Sequence, residues 1–177
     1  LVADVLILGY VGAMPAEEDA QEPEDNSLID PTLLEIFKSE TETHIAALQG
    51  FIERVERKQE ALPFDDDISR ALHTLKGSAN TANIEPIAKI IVPVEKFIKE
   101  ARACNLLADA PIIDILKQTA TIIQTGIDQL ESSAQSPIEG SEDLLKDLEA
   151  LQLDKLSAFS DEEKESEPQQ TDPQLIN

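Results

Sequence analysis

At 177 residues the chain has room for one domain with tails, and it carries a formal charge of −22 with only 3% aromatic residues. So acidic a chain would repel nucleic acid and anionic membrane surfaces, which excludes both as partners. The single cysteine, Cys104, rules out an internal disulfide or thiolate metal cluster, and no run approaches the roughly 20 apolar residues of a membrane span.

The charge is uneven along the chain. Residues 1–27 hold seven acids and no base, residues 139–177 twelve acids and three lysines, and residues 28–138 seventeen acids against eleven bases. The near-ordinary middle is the expected globular unit, over 28–135. Residues 1–27 read as an acidic linker with the tail of a preceding unit. No basic segment precedes the apolar residues 5–14 and Asp4 breaks the run, so a signal peptide is not expected. The chain starts at Leu1, and the expectation is a fragment of something larger.

The first helix is expected after Asp30-Pro31, an N-cap residue followed by proline at the first helical position. Its stripe is Leu34, Phe37, Thr41, His44, Leu48, Phe51 and Val55, spaced three and four. His44 stands where an aliphatic residue is expected. With no metal-ligand partner at helical spacing, it reads as a core or boundary residue.

The second helix is expected over about 65–81, with acids in its first turn as the helix dipole favours. Ile68, Leu72, Leu75, Ala79 and Ala82 form one apolar stripe. Asp66, Ser69, Arg70, His73, Lys76, Gly77 and Asn80 lie on the other side, so His73 faces water. Residues three and four apart stack on a helix, so Lys76 and Gly77 flank the imidazole. Glycine costs a helix roughly 1 kcal/mol relative to alanine, yet at 77 it clears space beside the ring. An exposed imidazole with an adjacent cation and free volume suits transient attachment of a bulky dianion such as phosphate, histidine being a competent nucleophile.

A third helix, about 85–103, starts with Pro86 and has the stripe Ile87, Ile91, Val94, Ile98 and Ala101. Pro93 removes a backbone bond to Lys89, and a kink is expected there. Glu95 falls off the stripe, beside Val92 and Lys99; it either faces a neighbouring helix edge or is solvated. Cys104 is expected to pack near a helix end. The fourth helix, about 110–132, carries Ile112, Ile115, Leu116, Thr119, Ile122, Ile123, Ile127 and Leu130. Four helices with short connections and matched stripes predict an all-α, antiparallel four-helix bundle, with no segment showing strand alternation.

Residues 136–160 read as a linker with an acidic amphipathic helix, from the cap Ser141 through Leu144, Leu145, Leu148, Leu151 and Leu156 to Phe159. That helix either docks as a fifth helix or serves as a partner-binding segment. Residues 161–177 are expected to be a disordered acidic linker into a next unit.

The segment Ala71–Ala79, ALHTLKGSA, resembles the phosphoacceptor motif of histidine phosphotransfer (HPt) domains, above all those of chemotaxis-type sensor kinases and twitching-motility hybrid kinases. The likeness extends over roughly residues 28–133. It implies that His73 takes a phosphoryl group on Nε2, that Lys76 steadies it and that Gly77 leaves it room. Chemotaxis-type members carry a glutamate 22 residues after the histidine, bonded to the other ring nitrogen; here that residue is Glu95. Some members have a second histidine 19 residues on, where this chain has Val92, so an auxiliary histidine is absent.

The two ends of the chain resemble each other's neighbours. Asp30-Pro31-Thr32-Leu33-Leu34 is matched by Asp172-Pro173-Gln174-Leu175-Ile176, and residues 1–9 are similar to residues 144–152, at nearly one offset. One period of a tandem array of such units is the expectation.

With no Gly-rich phosphate loop of its own, the chain is expected to be no enzyme alone but a cytoplasmic phosphorelay intermediate within a larger histidine kinase. A kinase catalytic domain would donate, a response-regulator receiver domain would accept on an aspartate, and other HPt units of the same chain are possible partners. No cofactor and no metal are expected: the two histidines lie 29 residues apart, without a Glu-x-x-His sequence. The competing reading is a helical adaptor with an incidental His73, binding a partner through its bundle surface or the 141–159 helix.

Overall fold

A computed structural model describes residues 30–133 and 135–165, with side chains as far as 157. One member of each pair of matching end motifs, residues 1–9 and 172–176, lies outside the described residues, as do residues 10–29 and 166–171 of the acidic flanks.

Helix α1 spans Pro31–Lys58. The Asp30 carboxylate accepts from the backbone N–H of Thr32 (2.8 Å) and Leu33 (3.2 Å), satisfying two of the donors a helix start leaves free. The buried face is Phe37, Thr41, Ile45, Leu48, Phe51, Ile52 and Val55. Ile45 thus takes the core position expected of His44, which is only half-buried at the boundary. A strict three-four alternation has a period of 3.5, whereas a straight helix turns every 3.6 residues, so the true stripe drifts off the ideal one over a helix this long.

Helix α2 is Asp66–Thr81, with Asp65 as its N-cap accepting from the Ile68 N–H at 2.9 Å. Helix α3, Glu85–Ala103, is unbroken through Pro93. Helix α4 is Ala110–Ser133 and α5 is Ser141–Glu165. Two short strands, β1 (Leu62–Pro63) and β2 (Leu107–Ala108), pair antiparallel and tie the α1–α2 and α3–α4 connections together. The absence of strand expected from the sequence is corrected here: two-residue strands are too short to show alternation.

Packing follows a closed ring in which α1 contacts α2 and α4, and α3 contacts α2 and α4. Connections this short make neighbours antiparallel. Helix α5 docks on α3 and α4 and buries Leu144 and Leu148. It therefore acts as a fifth helix of the bundle. It continues past Ser160, where the composition turns to Glu, Ser and Gln, as far as Glu165; the Phe159 side chain lies outside the described residues. Because α3 is covered on three sides, Ile90 and Phe97 are fully buried in addition to the expected stripe.

The α4–α5 connection is seated by a glycine. A Cβ on Gly126 would lie 2.5 Å from Ile138 Cδ1 and 3.3 Å from Ile87 Cγ1, so glycine lets the buried Ile138 close over α4 without either side chain shifting. Among the described residues, no helix is long and apolar enough to cross a membrane.

Candidate functional site

The polar face of α2 meets the edge of α3 at His73. The apolar stripe of α2, with Ile68, Leu72, Leu75 and Ala79 all buried, fixes the rotation of the helix and turns His73 outward. Its side chain is 66% exposed, whereas that of Glu95 on α3 is 6% exposed. The two touch: His73 Nδ1 lies 3.2 Å from Glu95 Oε1.

Glu95 is the hub of the site. Lys76 Nζ donates to its Oε2 at 3.2 Å, and Lys99 Nζ lies 3.2 Å from Oε1. Burial is the largest single influence on this carboxyl and pushes its pKa up. The hydrogen bonds from His73, Lys76 and Lys99 outweigh it together, and the net shift is downward. Glu95 is therefore ionised at neutral pH and can only accept. The proton in the His73–Glu95 contact must then sit on Nδ1, and in a neutral ring the lone pair is left on Nε2.

Gly77 lies one turn along α2, and a Cβ built there meets nothing within 4 Å. Nothing in the domain itself requires glycine at this position; the open volume beside the imidazole is available to whatever occupies the ring. That volume continues into a groove of about 450 Å³ between α1 and α2, lined by Leu33, Ile36, Phe37, His73, Gly77 and Thr81. Leu33 and Ile36, 37% and 53% exposed, share the rim of this one groove.

The structure thus brings His73, Lys76 and Glu95 into contact, with Gly77 beside them and, among the described residues, nothing within 4 Å of where its Cβ would lie. His44 does not join them. Lys99, read from the sequence only as a neighbour of Glu95, joins the site as a further cation; its spacing of four from Glu95 is the signal for that pairing. Leu33 and Ile36 were missed; their mark is to be large and apolar yet off the stripe of α1. Among the described residues no group of three or more His, Cys, Asp or Glu side chains is placed to hold a metal ion.

Residues 32–152 match the Hpt domain family. The chemotaxis protein CheA of Listeria monocytogenes is 24% identical over 119 residues, which cover 67% of this chain and 19% of that protein. CheA of Treponema pallidum is 30% identical over 102 residues, 58% of this chain and 12% of that protein. The chain therefore spans less than a fifth of the length of these curated relatives. The family match takes in α1 to α4 together with the first half of α5, well over half of the sequence. On that extent of agreement the chain belongs to the Hpt domain family, the histidine phosphotransfer domains of two-component systems.

Proposed function

We propose that His73 is the phosphoacceptor of a relay fed by a histidine kinase domain and emptied by a receiver domain. In the first step the Nε2 lone pair attacks the γ-phosphorus of ATP held by the kinase. The bond to the bridging oxygen breaks, and its electron pair leaves on ADP. In the second, a carboxylate oxygen of a receiver aspartate attacks the same phosphorus. The N–P bond breaks, and its electron pair returns to Nε2. Glu95 acts through the ring, holding Nδ1–H and offsetting the positive charge that develops on the imidazole as Nε2 attacks. Lys76 is poised to exchange part of its contact with Glu95 for the incoming phosphoryl oxygens, and Gly77 leaves those oxygens room.

The observation that carries this reading is the contact between the ionised, buried Glu95 and Nδ1 of an exposed His73. The apolar groove beside His73 supplies a seat on which a partner can bury Leu33 and Ile36. In this reading residues 28–135 are the phosphotransfer unit, one of several in series in a larger kinase of the chemotaxis or twitching-motility type, working in the cytoplasm where ATP is available. The chain is the substrate of the kinase domain and has no catalytic cycle alone. Incubation with a histidine kinase catalytic domain and γ-labelled ATP should label the wild type and leave His73→Gln unlabelled. Equal labelling of the two would refute the assignment.

A further inference from the structure

Thirteen Lys and Arg residues fall where side chains are described, and eleven of them make ion pairs. In a chain of charge −22 that is the expected fate of a cation. The two without an ion pair among the described residues are Arg57, in the last turn of α1, and Arg70, on α2 three residues before His73.

Arg70 is exposed and lines a second groove between α1 and α2, of about 390 Å³, with Thr43, His44, Arg54, Asp67 and Thr74. Thr74 also lines the apolar groove at His73, so the two depressions adjoin there. Nearby charges leave Arg70 largely free. Arg54 is held by Asp65 and lies over the Phe51 ring, 5.7 Å from its centroid. Asp66 is taken by Arg102 at 2.6 Å, with Arg70 only a weaker influence on it. Among the described residues, Asp67 is the one acid lining the groove. Arg70 opens on this second groove, which His73 does not line. It is placed to meet a partner rather than the phosphoryl group.

We infer that Arg70 is the docking cation for the acidic face of the receiver that empties His73. The inference rests on the phosphotransfer reading and deepens it. The acceptor is a carboxylate, and moving an anionic phosphoryl group onto an anion calls for a divalent cation, itself held by further carboxylates. The surface that must close over His73 is therefore acidic, and it approaches a strongly acidic chain. At physiological salt, charges beyond about 8 Å are screened, so a cation one helical turn from His73 is near enough to be felt by a docked acidic face while distant charges are not. The joint footprint is apolar at Leu33 and Ile36 and cationic at Arg70.

The test uses the full chain, phosphorylated to equal occupancy as wild type, Arg70→Gln, Arg70→Lys and Arg57→Gln, and discharged onto a purified receiver domain that accepts from the wild type. Arg70→Gln should lower kcat/KM roughly three- to tenfold at about 50 mM salt through a raised KM, and the gap should close at about 500 mM. Arg70→Lys should restore most of the rate, and Arg57→Gln, with the same charge change elsewhere, should match the wild type. Equal low-salt rates for wild type and Arg70→Gln would overturn the inference alone, as would a loss shared by Arg57→Gln. Failure of the wild type to carry a phosphoryl group on His73 would remove the phosphotransfer reading and this inference together.

Discussion

A glutamate buried to within 6% of its side-chain surface would ordinarily be pushed toward neutrality, and at Glu95 three donors reverse that. The sign of the shift sets its pH dependence. A carboxyl held below its ordinary pKa contributes stability that is fully present above the ordinary value and is lost as pH falls through the lowered one. Glu95→Gln should therefore destabilise the domain at about pH 7, by roughly 1–2 kcal/mol. The gap to the wild type should narrow below about pH 4, as denaturant melts across that range would show. The same substitution should slow phosphorylation of His73, because Gln leaves the imidazole without its charged partner. Gly77 offers a contrast in which stability and function part company. With open space where a Cβ would go, Gly77→Ala should raise stability by about 0.5–1 kcal/mol. It should also slow phosphorylation; a thermal melt and a labelling time course on one preparation read both effects.

Among the elements, the helices announced by local chemistry were legible and those features that depend on a neighbour were not. Asp30-Pro31 opens α1 and Asp65 caps α2 through bonds made within three residues, so the sequence alone locates both starts. Ile90 and Phe97 are buried by what packs against them, and no periodicity of one helix reveals how many sides a neighbour covers. The β1–β2 pairing joins residues 46 positions apart (Leu62 with Ala108) and carries no local mark. Gly126 was equally silent, since its role exists only once Ile138 folds back over α4. Gly126→Val should cost about 2 kcal/mol by overpacking, measured by chemical denaturation. Combining it with Ile138→Ala should cost less than the sum of the two single changes, because they share one space.

Across the whole molecule, the bundle serves to hold one polar helix face outward while a carboxylate reaches it from beneath. The motif around His73 and the spacing of 22 to Glu95 were readable before any fold was known. The sequence left Glu95 open between a helix-edge contact and solvent, and only the α2–α3 packing decides it. The groove carrying Leu33 and Ile36, and the isolation of Arg70 among paired cations, belong to the assembled surface and have no signature in any single segment. The central claim is that Glu95 commits Nδ1 and leaves Nε2 of His73 as the nucleophile. Phosphorus–nitrogen correlation NMR on the ¹⁵N-labelled, phosphorylated chain reads it directly. The account predicts a phosphoryl group bonded to His73 Nε2 with Nδ1 still protonated. A phosphoryl group on Nδ1, or on any residue other than His73, would contradict it.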